Sequence, residues 1–237
     1  MLQVTIPPLF PSHDTSGIGK NYLSNSDIDA LLNNPKDFRK TREENKSFAE
    51  GRYFHQLLIE PDKAQFMPTV DVSTRTTKEY KAYCETHNLA FAMLKKEAEE
   101  IEGLVRTMKA NIQFYDDIYA EGNKFEVPAI GELCGMTWKG KADIVGKDFI
   151  IDLKTTSDIK KFRWSAKSYN YDSQCYIYQQ LFGLPLVFYV IDKGTGQLGI
   201  FRPTESFVKG GELKVARAVE VFNRYFGPAP SDDIDNY

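Results

Sequence analysis

The stretch "KADIVGKDFIIDLKTT", Lys141 to Thr156, sets one aspartate before a Gly-Lys pair and an Asp-x-Lys after it. Residues of these types at this spacing suit metal-assisted hydrolysis of a phosphate ester. Asp143 and Asp152 could hold a hard divalent cation such as Mg²⁺, which takes oxygen ligands. Lys154 could orient or help deprotonate an attacking water and offset charge on the phosphate. The pattern reads as a β-hairpin in which Gly146-Lys147 is a two-residue turn between Val145 and Asp148. Alternation then puts Asp143, Asp152 and Lys154 on one face, with Asp143 and Asp152 as diagonal neighbours. Ala142, Ile144, Phe149, Ile151 and Leu153 make the opposite, apolar face. Two carboxylates that close repel each other, and a bound cation removes the difficulty. The same residues also fit a salt-bridged surface, with Lys139, Lys141 and Lys154 answering the aspartates, and spacing alone leaves both readings open.

Other candidates are neutral when taken singly. "SFAEGRYFHQLLIEP", residues 47–61, reads as a helix with Gly51 and His55 four apart on one face. A lone histidine there suits packing or capping as well as ligation. Glu126, on a strand entering the sheet, suits a charged edge. Gln174 and Tyr178 share one face of a later helix, where a solvated glutamine and a core tyrosine would be ordinary.

The elements that must position these residues follow from periodicity. "LSNSDIDALLNNPKDFRK" predicts a helix capped by Ser24 or Ser26, with Ile28, Leu31 and Leu32 inward. Another helix is expected from about Thr77, and the longest helical region over 87–122, broken near Gly103. From Phe125 the period changes, predicting strands over 125–133, 135–145 and 148–156 and a fourth, buried one from Leu186 to Ile191. Between the last two, residues 171–183 predict a helix ended by Gly183 and Pro185. A final amphipathic helix is expected over 212–226. This order is that of one α+β domain over 1–237, with an irregular arm at 1–20 and an acidic tail at 227–237.

Composition narrows the function classes. At 237 residues and 42% hydrophobic content the chain can bury a full core. No apolar run is long enough to span a membrane, and the first residues lack a signal-peptide pattern. Cys84, Cys134 and Cys175 lie far apart and are odd in number, which points to a reducing cytoplasm without disulfides or cysteine-held metal. A net charge of -3 argues against non-specific coating of nucleic acid, though a local basic surface remains open. "DIKKFRWSAKSYNY" supplies one candidate, interleaving Lys160, Lys161, Arg163 and Lys167 with Phe162, Trp164, Tyr169 and Tyr171. The cations suit phosphates and the aromatics suit bases or a duplex end, while Trp164 and a tyrosine fit a core equally well. Arg39, Lys40, Arg42, Lys46 and Arg52 form a second basic track near His55.

Taken in order, "GRYFH", "FEVPAI", "GKADIV", "IIDLKTT" and "QCYIYQQ" resemble the RecB-like nucleases of the PD-(D/E)xK superfamily. The closer resemblance is to RecE-type (exodeoxyribonuclease VIII) nuclease domains, and it covers most of Tyr22 to Ile191. It implies an α+β PD-(D/E)xK core, a central mixed sheet with a catalytic hairpin flanked by helices. It implies Asp143 and Asp152 as metal-binding acids, Lys154 as the catalytic lysine and Glu126 as the acid before the hairpin. His55 and the carbonyl of Leu153 would join the metal site, while Gln174 and Tyr178 would order it and help hold DNA. Arg52, Lys160, Lys161, Arg163, Trp164 and Lys167 are the candidate DNA contacts. The resemblance further implies Mg²⁺, with Mn²⁺ as a substitute, and 5′-to-3′ resection of linear duplex ends. The 3′ single strands left behind would pass to a RecT-like annealing protein in recombination. A homo-oligomeric ring, phage origin and a bacterial cytoplasm belong to the same expectation. The x-Lys motif carries Asp, as in RecB-like members, and no cysteine quartet matches the relatives with an iron–sulfur cluster. The alternatives are a structure-specific endonuclease on the same fold and a non-catalytic DNA-end or partner-binding protein. The tip "SDDIDNY" reads as a solvated end or as a small docking segment for such a partner.

Overall fold

The computed structural model of the chain describes residues 22–41 and 43–231. The expected arm at 1–20, Arg42 of the basic track and residues 232–237 of the acidic tail lie outside the described residues. The sheet begins where the sequence changes period, with β3 (Lys124–Leu133), β4 (Met136–Val145), β5 (Ile150–Thr156), β6 (Leu186–Asp192) and β7 (Leu198–Phe201) as spatial neighbours in that order. The pairs β3–β4, β4–β5 and β6–β7 are antiparallel and β5–β6 is parallel, so the sheet is mixed. β6 is buried along its whole length, as its unbroken apolar run requires of a strand covered on both faces. Its parallel partnership needs a crossover, which α7 (Phe162–Ser168) and α8 (Tyr171–Phe182) provide.

Helices cover both faces. On one, α1 (Ile28–Asn33), α8 and α9 (Glu205–Phe226) bring Leu31, Ile177, Leu181 and Val215 onto Trp138, Ile150, Phe188 and Val190. On the other, α2 (Lys46–Ile59), α5 (Lys95–Ala110) and α6 (Ile112–Ile118) bring Phe54, Ile101, Met108 and Phe114 onto Ile144, Ile151, Leu153 and Tyr189. A small outlying cluster joins β1 (Thr69–Val70), β2 (Met93–Leu94) and α4 (Lys78–Thr86), with the Tyr80 hydroxyl bonded to both backbone groups of Ala92. α3 (Pro61–Ala64) follows α2 directly.

Several sequence expectations are corrected. The hairpin pairs Val145 with Ile150 and Ile144 with Ile151, and its four-residue turn is closed by the Gly146 N–H donating to Phe149 O at 3.1 Å. This register sets apolar residues opposite each other, where the expected one would have put Asp143 against Ile150. Ala142 packs with α8 rather than with Ile144 and Leu153. Residues 87–92 are not helical, and α5 runs through Gly103 without a break. One interior glycine costs only about 1 kcal/mol, too little to interrupt a helix whose apolar face is buried. The break falls at Asn111, whose side chain caps α6 by accepting from the Phe114 N–H. The last helix starts earlier, at Glu205, capped by Thr204.

Candidate active site

The β4–β5 ladder ends after those two pairs, and the strands fork with Asp143 and Asp152 just beyond the last of them. On the other side of β4, Phe125–Ile144 and Val127–Ala142 pair while Glu126 between them does not. Glu126 has φ 53°, in the left-handed region, which costs a non-glycine residue on the order of 1–3 kcal/mol and is typical of functional positions. The turn of backbone leaves Glu126 level with Asp143. The third contributor is α2: Phe54 and Leu58 seat it on the core, and His55 is carried to the fork.

Leu153 is the pivot. His55 Nε2 lies 2.8 Å from the Leu153 carbonyl oxygen, and Nδ1 lies 3.4 Å from Asp143 Oδ2. The same Asp143 oxygen accepts the Leu153 N–H at 2.8 Å. Two side chains thereby replace ladder bonds that the fork removes. Asp152, 2% exposed, accepts from Gln174 Nε2 at 2.6 Å through Oδ1. Its Oδ2 forms an ion pair with Lys154 Nζ at 2.6 Å but has no hydrogen bond of acceptable geometry. Lys154 Nζ also stands 4.8 Å above the Tyr171 ring. From α8 the Tyr178 hydroxyl donates to the Lys141 carbonyl at 2.9 Å, and a Cβ on Gly140 would come within 2.9 Å of that ring. Glycine at 140 lets the tyrosine lie on β4. Lys141 Nζ pairs with Glu126.

The charges settle unevenly. Burial opposes the Asp143 charge, yet His55, Lys154 and the Leu153 N–H outweigh it and hold this carboxyl below the ordinary range. Burial raises Asp152, and repulsion from Asp143 pushes the same way against the pull of Lys154. Burial raises Glu126 as well. Lys154 loses water, but the Asp152 and Asp143 carboxylates more than compensate and drive its pKa up. It is an ammonium, suited to orienting water and balancing phosphate charge rather than to taking a proton. His55 is partly desolvated, which lowers its pKa, but the Asp143 carboxylate outweighs this and raises it. Burial raises Tyr178, keeping it a neutral phenol.

These residues fit a divalent cation. Donor atoms of His55, Glu126 and Asp143 lie within 4.8 Å of one another. Asp152 Oδ2 adds a buried carboxylate oxygen without a hydrogen bond. A donor set dominated by carboxylates, with one backbone carbonyl and one imidazole beside it, suits Mg²⁺ or Mn²⁺ better than a thiophilic ion.

The sequence candidates thus divide. His55, Glu126, Asp143, Asp152, Leu153, Lys154, Gln174 and Tyr178 converge, and Gln174 is buried against Asp152 rather than solvated. Lys160 and Lys161 on a short 3-10 turn, with Arg163, Trp164 and Lys167 on α7, stand on the surface outside this cluster. Trp164 is 68% exposed, so it is not a core residue, whereas Phe162 beside it is buried. Arg52 is exposed and paired with Glu44 at 2.9 Å. Two members were missed as site residues: Lys141, partner of Glu126, and Tyr171, beneath Lys154. Position 141 shares a strand side with 143, which was the available signal. Tyr171 had none beyond its aromatic neighbourhood.

A mixed sheet between helix layers, with a forked hairpin bearing the acids and an x-Lys, defines the PDDEXK-like class of nuclease fold. Residues 23–193 match the family described as "PDDEXK-like domain of unknown function (DUF3799)", and the chain belongs to that family. Among solved structures, a "putative exonuclease" from Eubacterium rectale shares this fold at TM-score 0.64 and 19% identity, covering 91% of this chain and 87% of that one. A second, SSO0001, aligns over 81% of each chain at 18% identity with a TM-score of only 0.33, too low to inform the fold. No curated protein matches the chain.

Proposed function

We propose that the protein is a Mg²⁺-dependent DNA exonuclease that hydrolyses phosphodiester bonds. The observation carrying this reading is the convergence of His55, Glu126, Asp143, Asp152 and Lys154 at one fork. Asp143, Asp152, Glu126, His55 and the Leu153 carbonyl would hold the cation. When bound, it would supply Lewis-acid activation of water and charge neutralisation at the phosphate. Gln174 fixes the Asp152 carboxylate, and Lys154 is placed to orient water and meet negative charge as it develops. Tyr178 ties α8 to β4 and so keeps Gln174 in reach. The surface of α7 with Lys160, Arg163, Trp164 and Lys167 would receive the DNA backbone and an exposed base.

The finer reading rests on the RecE-type resemblance: 5′-to-3′ resection of duplex ends, transfer of the 3′ strand to a RecT-like annealing protein, and ring assembly in the cytoplasm of a bacterial host. Mn²⁺ would substitute for Mg²⁺. Linear DNA labelled separately at each 5′ and 3′ end, digested beside a closed circle, tests it. Release of the 5′ label with the circle intact is expected. Nicking of the circle would overturn the exonuclease reading in favour of an endonuclease, and no cleavage of either with Mg²⁺ would leave only a DNA-end binding role.

A further inference from the structure

Beside His55, α2 forms one wall of a pocket of about 300 Å³ lined by Arg52, Gln56, Lys63, Phe66, Met67 and Pro68. Its composition is unlike an ordinary surface dent. Phe66 is 78% exposed, a flat apolar ring left in water. The Gln56 Oε1 atom is buried and has no hydrogen-bond partner. An acceptor stranded in this way costs stability and calls for a donor from outside. Arg52 and Lys63 add two cations, held by Glu44 and Glu60 in surface pairs of the kind that contribute little and exchange readily. The volume is at the low end of small-ligand pockets, room for one planar ring system.

The pocket shares helix α2 with the acid cluster. His55 lies between Arg52 and Gln56 on the same helix, and Glu60, the partner of Lys63, is near enough to Glu126 to act on its charge.

We propose that this pocket receives one unstacked nucleobase of the DNA strand held at the Asp143–Asp152 fork. The base stacks on Phe66, gives an N–H of its pairing edge to Gln56 Oε1, and has its flanking phosphates met by Arg52 and Lys63. Every base carries such an N–H, but in a duplex its partner occupies it. The pocket therefore selects an opened base over a paired one without reading its identity. This rests on the nuclease reading of the fork and names the form of substrate that reaches it.

The test uses a single-stranded oligonucleotide carrying 2-aminopurine, bound to the full chain in EDTA so that nothing is cut. With the native protein, 2-aminopurine fluorescence should rise as the base leaves its neighbours. Phe66→Ala should abolish that rise and weaken binding about tenfold, the scale of one lost base–aromatic stack. Gln56→Leu should weaken binding while raising the melting temperature, because it removes the stranded acceptor. A purely structural glutamine would give a lower melting temperature and unchanged binding. Unchanged fluorescence and affinity in both variants would overturn the pocket assignment. If the native protein cleaves linear DNA with Mg²⁺ and both variants still bind as it does, the pocket fails and the nuclease reading stands. If it never cleaves but Phe66→Ala still abolishes the fluorescence rise, the pocket stands and the nuclease reading fails.

Discussion

Asp152 sits between two donors, the Gln174 amide on Oδ1 and the Lys154 ammonium beside Oδ2, each at 2.6 Å. Asparagine in its place can still accept from Gln174, but then turns an N–H₂ toward Lys154 and removes its nearest counter-charge. Volume is unchanged and the core around it is intact. Asp152→Asn is therefore expected to lower Mg²⁺-dependent cleavage by about a thousandfold, the upper range for losing one preorganised electrostatic group. Its circular dichroism should be native. End-labelled digestion beside a thermal melt checks it, and near-native turnover would sink the metal assignment. Legibility at this scale follows sequence distance. Asp143, Asp152 and Lys154 were readable as neighbours, though not as a site, because one hairpin carries them and strand alternation is local. His55 comes from a helix far upstream and Glu126 from a distorted strand, so no periodicity links them to the hairpin. Resemblance alone pointed to both.

Helix α9 crosses α8 at Gly211, where a Cβ would lie 2.0 Å from the Asp172 carbonyl oxygen. One turn on, Lys214 Nζ reaches Asp172 Oδ1 at 2.9 Å, Asn170 Oδ1 at 2.9 Å and the Lys167 carbonyl at 2.7 Å. That contact fixes the start of α8, two residues before Gln174. Gly211→Ala must push the helices apart, which predicts a loss of about 3 kcal/mol, the upper end for overpacking a close contact. Cleavage should fall with it as Gln174 draws away from Asp152. A denaturant melt with native stability would show that the crossing has slack. This close approach left no mark in the sequence beyond the Gly210-Gly211 pair. The strands and α8 were legible because their apolar periods are clean. β7 was missed because Leu198–Phe201 is short and only half-buried, and α7 because its aromatic and basic residues mask a single buried stripe. The hairpin register depended on which side chains face the core, a tertiary preference that overrode the tighter turn.

Across the whole molecule the net charge is -3, so any attraction to DNA must come from local placement. Lys160 on the 3-10 turn and Arg163 and Lys167 on α7 are exposed beside the exposed Trp164. Replacing the three cations together with alanine should reduce the slope of log affinity against log salt by about 2–3, near one unit per lost phosphate contact. Titrations over a salt series measure this directly, and an unchanged slope would move the DNA path off α7. Leu153 offers an amide and a carbonyl toward a strand that has departed, and Asp143 and His55 cover them. Uncovered, they would be an unpaired peptide group on an inner strand, the kind of open pairing position on which strands of other chains assemble. Losing the two side chains is thus expected to expose the molecule to self-adhesion. Variants that strip them should scatter light and pellet on standing, so their inactivity would in part be a loss of monodisperse protein.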